Sequence, residues 1–121
     1  MQPARGSTPN NIQQHNNTLK KSIKMVKHIV AFKLSGSSEE RLAASEAFKK
    51  AIEALPEVID VLDSVEVGIN SNPSESWDVV LTATLKKMED VAVYAKHPAH
   101  VAAAGILAPL REARACVDYY A

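Results

Sequence analysis

The chain has 121 residues, the length of one domain, and its 14 basic and 14 acidic side chains leave no formal net charge. Balanced charge excludes the strongly basic surface that is typical of proteins binding nucleic acid or anionic membranes. No apolar run approaches the roughly 18–20 residues that span a bilayer. The single cysteine, Cys116, excludes an intrachain disulfide and a cysteine-based zinc site, and it suits a reducing cytoplasm.

Residues 1–24 are predicted to form a disordered N-terminal extension. Ile12 and Leu19 are the only branched aliphatic residues among the first 22, and the remainder is rich in Asn, Gln, Ser, Thr and Lys. Such a segment buries too little apolar surface to offset the entropy of ordering it. It also lacks the apolar stretch of a secretory signal. A dense apolar pattern begins at Met25, so the folded domain is predicted to cover residues 25–121.

Period-two alternation of apolar residues predicts a strand over 26–34. His28 shares one face of this strand with Val30, and that face is expected to turn toward the helices. Ile29 and Ala31 make the centre of the other face apolar too. This pattern indicates a sheet that is covered on both sides.

An amphipathic helix is predicted to follow and to end before Pro56. Ser37 and Glu40 have the spacing of a capping box at its start. The residues expected to face inward recur every three or four positions: Leu42, Ser45, Phe48, Ile52 and Leu55.

Two further strands are predicted over residues 58–70 and 77–85, with a turn rich in Asn, Ser and Pro between them. On the second of these strands one face is expected to be apolar: Trp77, Val79, Leu81, Ala83 and Leu85.

The remaining residues predict two helical segments and a final strand. A short helix over 88–95 should turn Met88, Val91, Ala92 and Ala95 inward. Pro98 suits the first turn of the next segment, which is predicted to reach about Arg114 with an apolar stripe of Val101, Ala104, Leu107 and Leu110. The last strand is predicted over 115–120, where Cys116 is interpreted as a small buried hydrophobe.

The order β-α-β-β-α-β is that of an α+β, ferredoxin-like fold with a four-stranded antiparallel sheet. Its helices cover one face of the sheet and leave the other bare. Apolar residues dominate the bare face, which is expected to be buried against a second copy to form a homodimeric α/β barrel. The residues concerned are Ile29, Ala31, Val80 and Thr82.

Four segments together resemble the stress-responsive A/B-barrel (Dabb) domains. They are VKHIVAFK at 26–33, LPEV at 55–58, YxxHPAH at 94–100 and the closing VDY at 117–119. The resemblance covers residue 25 to about residue 120 and implies a dimeric α+β barrel. Most members of this family have no established activity. The best-understood relatives are plant polyketide cyclases, which carry out an intramolecular aldol condensation.

The resemblance also implies a set of pocket residues. The strand-one histidine, the tyrosine before the HPAH motif and the last histidine of that motif line the pocket of cyclase-type relatives, and they correspond to His28, Tyr94 and His100. Phe48 and Val79 occupy positions where those relatives carry a tyrosine and a histidine. These apolar replacements describe a drier pocket.

The residues themselves leave two interpretations open. Histidine titrates near neutrality, so His28 is either a general base for a proton beside a carbonyl or a hydrogen-bonded core residue. His100, near a helix N-terminus, either donates to a developing oxyanion beside the phenol of Tyr94 or bonds locally to fix the helix junction. His97 is interpreted as a capping or surface residue.

No metal and no other cofactor are predicted. His28, His97 and His100 could converge on a cation, but Pro98 interrupts the histidine pair and no nearby carboxylate completes a ligand set. Asp63, Glu66 and Asp118 are dispersed along the sequence and are interpreted as solvated side chains.

The leading hypothesis is a small cytoplasmic homodimer whose apolar pocket binds an unidentified small molecule, apolar or carbonyl-containing. His28, Tyr94 and His100 would be its polar groups. The first alternative is an enzyme, a lyase or cyclase that acts on a polyketide-like carbonyl substrate by histidine and tyrosine acid–base chemistry. The second is a dimerisation module in which the histidines are purely structural. Neither nucleic acid nor a membrane is an expected partner.

Overall fold

The computed structural model describes residues 24–121, so the predicted N-terminal extension lies outside the described residues except for Lys24. In chain order the elements are strand β1 (Val26–Leu34), helix α1 (Ser38–Glu53), a 3-10 turn (Leu55–Glu57), strands β2 (Leu62–Ile69) and β3 (Val79–Leu85), helices α2 (Glu89–Lys96) and α3 (Pro98–Ala104), and strand β4 (Arg111–Tyr120).

The four strands form one antiparallel sheet in the order β2-β3-β1-β4, which confirms the predicted α+β ferredoxin-like fold. Strand β1 is central and pairs with β3 on one side and with β4 on the other. The core lies between the helices and the helix-facing side of this sheet. It is built largely from alternate residues of β1 and β3 and from the buried side of α1.

The local sequence at the start of α1 determines where the helix begins. The Glu40 N–H donates to the Ser37 hydroxyl at 3.1 Å, and the Ser37 N–H donates to the Glu40 carboxylate at 2.9 Å. These two bonds complete the predicted capping box and satisfy amide donors that the helix leaves free. They also lower the pKa of the Glu40 carboxyl.

Several predicted element boundaries are wrong. Strand β2 begins at Leu62 rather than residue 58, because the amides of Val58 and Ile59 both donate to the Leu55 carbonyl at 2.9 Å and continue the turn. Strand β3 begins at Val79, which leaves Trp77 outside it and exposed.

The second helical segment was predicted to reach about residue 114, but α3 ends at Ala104. Turns follow over residues 105–110, a stretch that contains Gly105 and Pro109, both poor helix formers. Strand β4 then begins at Arg111 and is longer than predicted.

The predicted inward faces of the helices are partly wrong. On α1, Ser45, Phe48 and Ile52 are buried as expected, but Leu42 is exposed. On the short helices the buried residues are Asp90, Tyr94 and Ala103, whereas several residues predicted to face inward are exposed: Ala92, Ala95 and Val101. Packing against the sheet, rather than the apolar pattern of such short segments, sets how these helices are rotated.

The two ends of the described domain are in contact. Met25 donates its N–H to the Ala121 carbonyl at 3.1 Å, and Ala121 donates back to the Met25 carbonyl at 2.8 Å. Among residues 24–121 no helix has the length and apolar character that crossing a membrane requires.

Candidate active site

Strand pairing brings His28 and Asp118 together. The two residues are direct partners in the β1–β4 register, and both side chains lie on the face of the sheet that the helices cover. Nδ1 of the buried His28 donates to Oδ1 of Asp118 at 2.5 Å, while the Asp118 side chain keeps about 30% of its surface exposed. Because the carboxylate fixes the hydrogen on Nδ1, a neutral His28 carries its lone pair on Nε2.

Tyr94 lies at the centre of the predicted cluster. It projects from α2 and is fully buried, with its ring centroid 5.8 Å from that of His28 and 4.5 Å from that of His100. Its hydroxyl has no hydrogen-bond partner among the described residues. Burial raises the pKa of Tyr94 to about 12, so the phenol stays protonated at neutral pH.

His100 connects the two short helices. Its Nδ1 donates to the Ala95 carbonyl at 2.9 Å, which joins the first turn of α3 to the end of α2. Burial lowers the pKa of His100 below its ordinary value, and the hydrogen bond to the Ala95 carbonyl opposes part of this shift. His100 is therefore neutral at pH 7 and presents Nε2 as an acceptor.

His97 does not join the cluster. It is the N-terminal capping residue of α3, where its Nδ1 accepts the Ala99 N–H at 3.1 Å, as its predicted capping role requires. The hypothetical cation site made of His28, His97 and His100 therefore loses one of its three ligands to a helix cap.

The interpretation of Cys116 from sequence is wrong, and that of Asp118 as a solvated side chain is incomplete, because Asp118 is exposed but also bonds to His28. Cys116 is exposed rather than buried, and its Sγ lies 3.6 Å from Nδ1 of His28 and 3.7 Å from Oδ1 of Asp118. Asp118 is the orienting carboxylate that the sequence alone did not reveal. Partial burial and the Asp118 carboxylate raise the pKa of the Cys116 thiol.

The two apolar replacements predicted from the resemblance are core residues. Phe48 and Val79 are both buried in the main cluster of apolar side chains, and the Phe48 ring meets Phe32 edge-on at 5.5 Å. Both residues contribute apolar contacts on this side of the sheet, and neither supplies a polar group.

Two open cavities lie away from the cluster. One, of about 720 Å³, is bordered by the start of α1 and the β2–β3 connection and includes Arg41, Asn70 and Asp78. The other, of about 470 Å³, lies beside Trp77 and Val80. Neither is lined by His28, Tyr94 or His100, so the pocket expected at these residues does not correspond to either cavity.

The arrangement combines an imidazole oriented by a carboxylate, a protonated phenol and a neutral imidazole, with ring contacts linking the three. An unprotonated Nε2 can accept a proton, and a phenol with a high pKa can donate a hydrogen bond to an oxyanion. These are the functional groups of a site for acid–base chemistry or for binding an oxyanion, on a ferredoxin-like α+β domain. Of the candidate residues, the structure brings together His28, Tyr94 and His100 and adds Asp118.

Comparison with known families agrees with this fold and with the resemblance in the sequence. The stress responsive A/B barrel domain matches residues 26–121, nearly all of the described chain. The chain therefore belongs to the stress responsive A/B barrel domain family. A comparison with curated proteins finds no match.

Several solved structures have the same fold. A dimeric ferredoxin-like protein from Bacteroides fragilis is 52% identical with a TM-score of 0.77, over 78% of this chain and 94% of that one. A protein from Arabidopsis thaliana is 26% identical with a TM-score of 0.62, over 78% and 92%. A hydroxynitrile lyase from Passiflora edulis, 15% identical, has a TM-score of 0.63 over 82% and 94% and shares the fold.

Proposed function

We propose that this protein binds a small molecule at the cluster of His28, Tyr94 and His100. The observation that carries the proposal is the Tyr94 hydroxyl, which is buried and lacks a partner among the described residues. Native proteins rarely leave a buried polar group without a hydrogen bond, because its lost hydration is then not replaced. A bound molecule with an oxygen acceptor would supply the missing partner.

The chemistry of the cluster defines the ligand class. The Tyr94 phenol, protonated because burial raises its pKa to about 12, donates to a carbonyl or similar oxygen. The His28 and His100 rings both lie next to the Tyr94 ring. Tyr94 belongs to the buried apolar core, so the ligand is expected to be a mainly apolar compound with a carbonyl group.

A ligand can reach Tyr94 only if part of the structure moves, because the side chain has no exposed surface. Tyr94 belongs to α2, which has 8 residues and packs beside α3, which has 7. Helices this short have little stability of their own. We infer that the α2–α3 layer is the part that opens when the ligand enters.

Native mass spectrometry of the full chain, purified from its host, tests the binding proposal. A retained mass above that of the polypeptide is expected in the wild type and should be lost in Tyr94→Phe. Tyr120→Phe, which removes an exposed hydroxyl, is the matched control and should retain the ligand. No retained mass in the wild type, or equal retention in both variants, would contradict a site built on the Tyr94 hydroxyl.

We also propose that the protein is a homodimer formed through the bare face of the sheet. This face carries exposed apolar side chains at its centre and toward β4: Val80, Val117 and Tyr119. The 52% identical protein from Bacteroides fragilis is dimeric, which supports the same assembly here. A reducing cytoplasm remains the proposed location, because it suits the exposed free thiol of Cys116.

Light scattering coupled to size exclusion tests the dimer. Val117 is 60% exposed on the bare face, and Val117→Lys should shift the protein to a single-chain particle. Val101 is 57% exposed on the helical side, so Val101→Lys is the matched control and should remain dimeric. A wild-type monomer at micromolar concentration, or a dimer unaffected by Val117→Lys, would contradict this interface.

A second candidate function is a lyase or cyclase, and the observation that favours it is the bond between His28 and Asp118. A carboxylate on Nδ1 keeps Nε2 available as a base and stabilises the imidazolium formed when it accepts a proton. In this proposal Nε2 of His28 removes a proton beside a carbonyl, and Tyr94 donates to the enolate oxygen. The fold is shared with the Passiflora edulis hydroxynitrile lyase, but the fold does not specify the reaction.

Proton exchange measures this chemistry without knowledge of the natural substrate. A β-ketoacyl thioester in D₂O should exchange the protons between its carbonyls faster with the wild type than in buffer, as followed by NMR. His28→Ala and His100→Ala should both reduce the excess rate to background while the oligomeric state stays unchanged. An excess rate that survives in both variants would exclude these histidines from the reaction.

A further inference from the structure

A second group of side chains at the edge of the cluster has the composition of a metal site. Cys116 and Asp118 are two residues apart on β4 and so project from the same face, and His28 is the direct partner of Asp118 on β1. One potential ligand atom from each of the three residues lies within 4.8 Å of the other two. The atoms are an imidazole nitrogen, a sulfur and a carboxylate oxygen.

Three distances separate the three ligand atoms, and two of them agree with tetrahedral coordination. Usual zinc–ligand lengths predict sulfur–nitrogen and sulfur–oxygen separations of about 3.6 Å and a nitrogen–oxygen separation of about 3.4 Å. The structure has Sγ at 3.6 Å from Nδ1 of His28 and at 3.7 Å from Oδ1 of Asp118. The third distance, from Nδ1 to Oδ1, is 2.5 Å and is bridged by a hydrogen bond. A cation would replace that hydrogen and separate the two atoms by about 0.9 Å.

We propose that Nδ1 of His28, Sγ of Cys116 and Oδ1 of Asp118 form a three-ligand site for Zn²⁺. One thiolate with one imidazole and one carboxylate suits a borderline-soft divalent cation better than Mg²⁺ or Ca²⁺, which prefer oxygen ligands. Cys116 is exposed and the Asp118 side chain is about 30% exposed, so the fourth position faces solvent. Three protein ligands and one open position are the arrangement of reactive zinc sites.

The cysteine count does not exclude this site. A single cysteine rules out a centre made of several thiolates, but a mixed ligand set needs only one. The fold supplies the other two ligands from positions 88 and 2 residues away from Cys116 along the chain. The site also affects the nearby cluster, because a cation on Nδ1 leaves the hydrogen of His28 on Nε2. In the zinc-bound protein that nitrogen is a donor and not a base.

Cobalt substitution of the full chain tests the proposal directly. Protein that has been stripped with a chelator and reduced is titrated with Co²⁺ and then with Zn²⁺. One equivalent of Co²⁺ per chain should produce a thiolate-to-cobalt charge-transfer band, and Zn²⁺ should displace it. Because Cys116 is the single cysteine of the chain, the band reports this thiol alone.

Variants separate the proposed site from adventitious binding. Cys116→Ala should abolish the band, and Asp118→Asn should weaken Zn²⁺ binding by at least tenfold, since even outer-shell partners of metal ligands contribute about 10–100-fold. Asp63→Asn, which removes an exposed carboxylate from β2, should bind like the wild type. Absence of the band in the wild type, an unchanged spectrum in Cys116→Ala, or equal Zn²⁺ affinity in Asp118→Asn and Asp63→Asn would overturn the proposal.

Discussion

Removing the hydroxyl of Tyr94 is expected to stabilise the ligand-free protein. In Tyr94→Phe the ring keeps its contacts with His28 and His100, and only the oxygen without a partner is lost. Burying a polar group without a hydrogen bond costs about 1–3 kcal/mol in proteins. The free energy of unfolding should therefore rise by about 1 kcal/mol or more. For a domain of this size each 1 kcal/mol shifts the melting temperature by about 4–8 °C.

The measurement is urea unfolding at equal protein concentrations, because the stability of a dimer depends on concentration. Each sample is first shown by native mass spectrometry to carry no ligand. Tyr120→Phe removes a hydroxyl from a side chain that is 51% exposed and should change stability by less than about 0.5 kcal/mol. A Tyr94→Phe variant that is less stable than the wild type would show that the hydroxyl has a partner in the folded protein, and the reasoning would then fail.

Three further predictions concern stability. Ser37→Ala removes the cap of α1 and should destabilise the protein by about 0.5–2 kcal/mol in urea unfolding, whereas Ser38→Ala, one position into the helix, should cost much less. The hydrogen bonds from Lys49 and from the Val67 N–H lower the pKa of Glu53. The contribution of Glu53 to the stability of the fold is therefore present above the ordinary carboxyl pKa of 4.5 and is lost as pH falls through the lowered value. Glu53→Gln should flatten the acid limb of the stability–pH curve, and an unchanged limb would contradict this. Burial lowers the pKa of His100, so the folded state binds fewer protons than the unfolded state and stability falls as pH drops below the ordinary value of 6.5. His100→Gln should reduce that slope between about pH 5 and 6.5, and a slope equal to that of the wild type would count against a buried, neutral His100.

Strand β1 and the start of α1 were predictable because local sequence determines them. Alternation over 26–34 requires only that one face be buried, and the structure has β1 at these residues. The capping box depends on Ser37 and Glu40, three residues apart, and both of its bonds are present. In both cases the physical cause acts within a few residues.

Asp118 was missed because its role depends on pairing between distant strands. In the sequence it lies two residues after Cys116 and precedes two tyrosines, and nothing local distinguishes it from a solvated carboxylate. The predicted fold placed the first and last strands in one sheet, but the register that opposes His28 and Asp118 is a property of the folded sheet. The alternation of side chains along a strand offered one clue. Cys116 and Asp118 alternate with Val117 and Tyr119, so the two pairs had to lie on opposite faces of the sheet.

The helix pattern did not predict the burial of Tyr94, and the family resemblance implied only that this residue lines a pocket. The apolar residues of the 88–95 segment suggested an inward face that included Ala92 and Ala95, both of which are exposed. With only two turns, several rotations of this helix bury similar apolar area, and contacts with the sheet select one of them. A tyrosine and Asp90 then occupy the buried side.

Because the two ends of the domain are in contact, the same fold could be built from a chain that connects its elements in a different order. Residues 25 and 121 exchange both backbone hydrogen bonds, so a short linker can join them without disturbing β1 or β4. Opening the chain in the exposed loop over residues 70–74 would then give a circular permutant that begins with β3 and ends with β2. In that protein His28 and Asp118 would be close in sequence, and a single hairpin of β4 and β1 would bring the pair together.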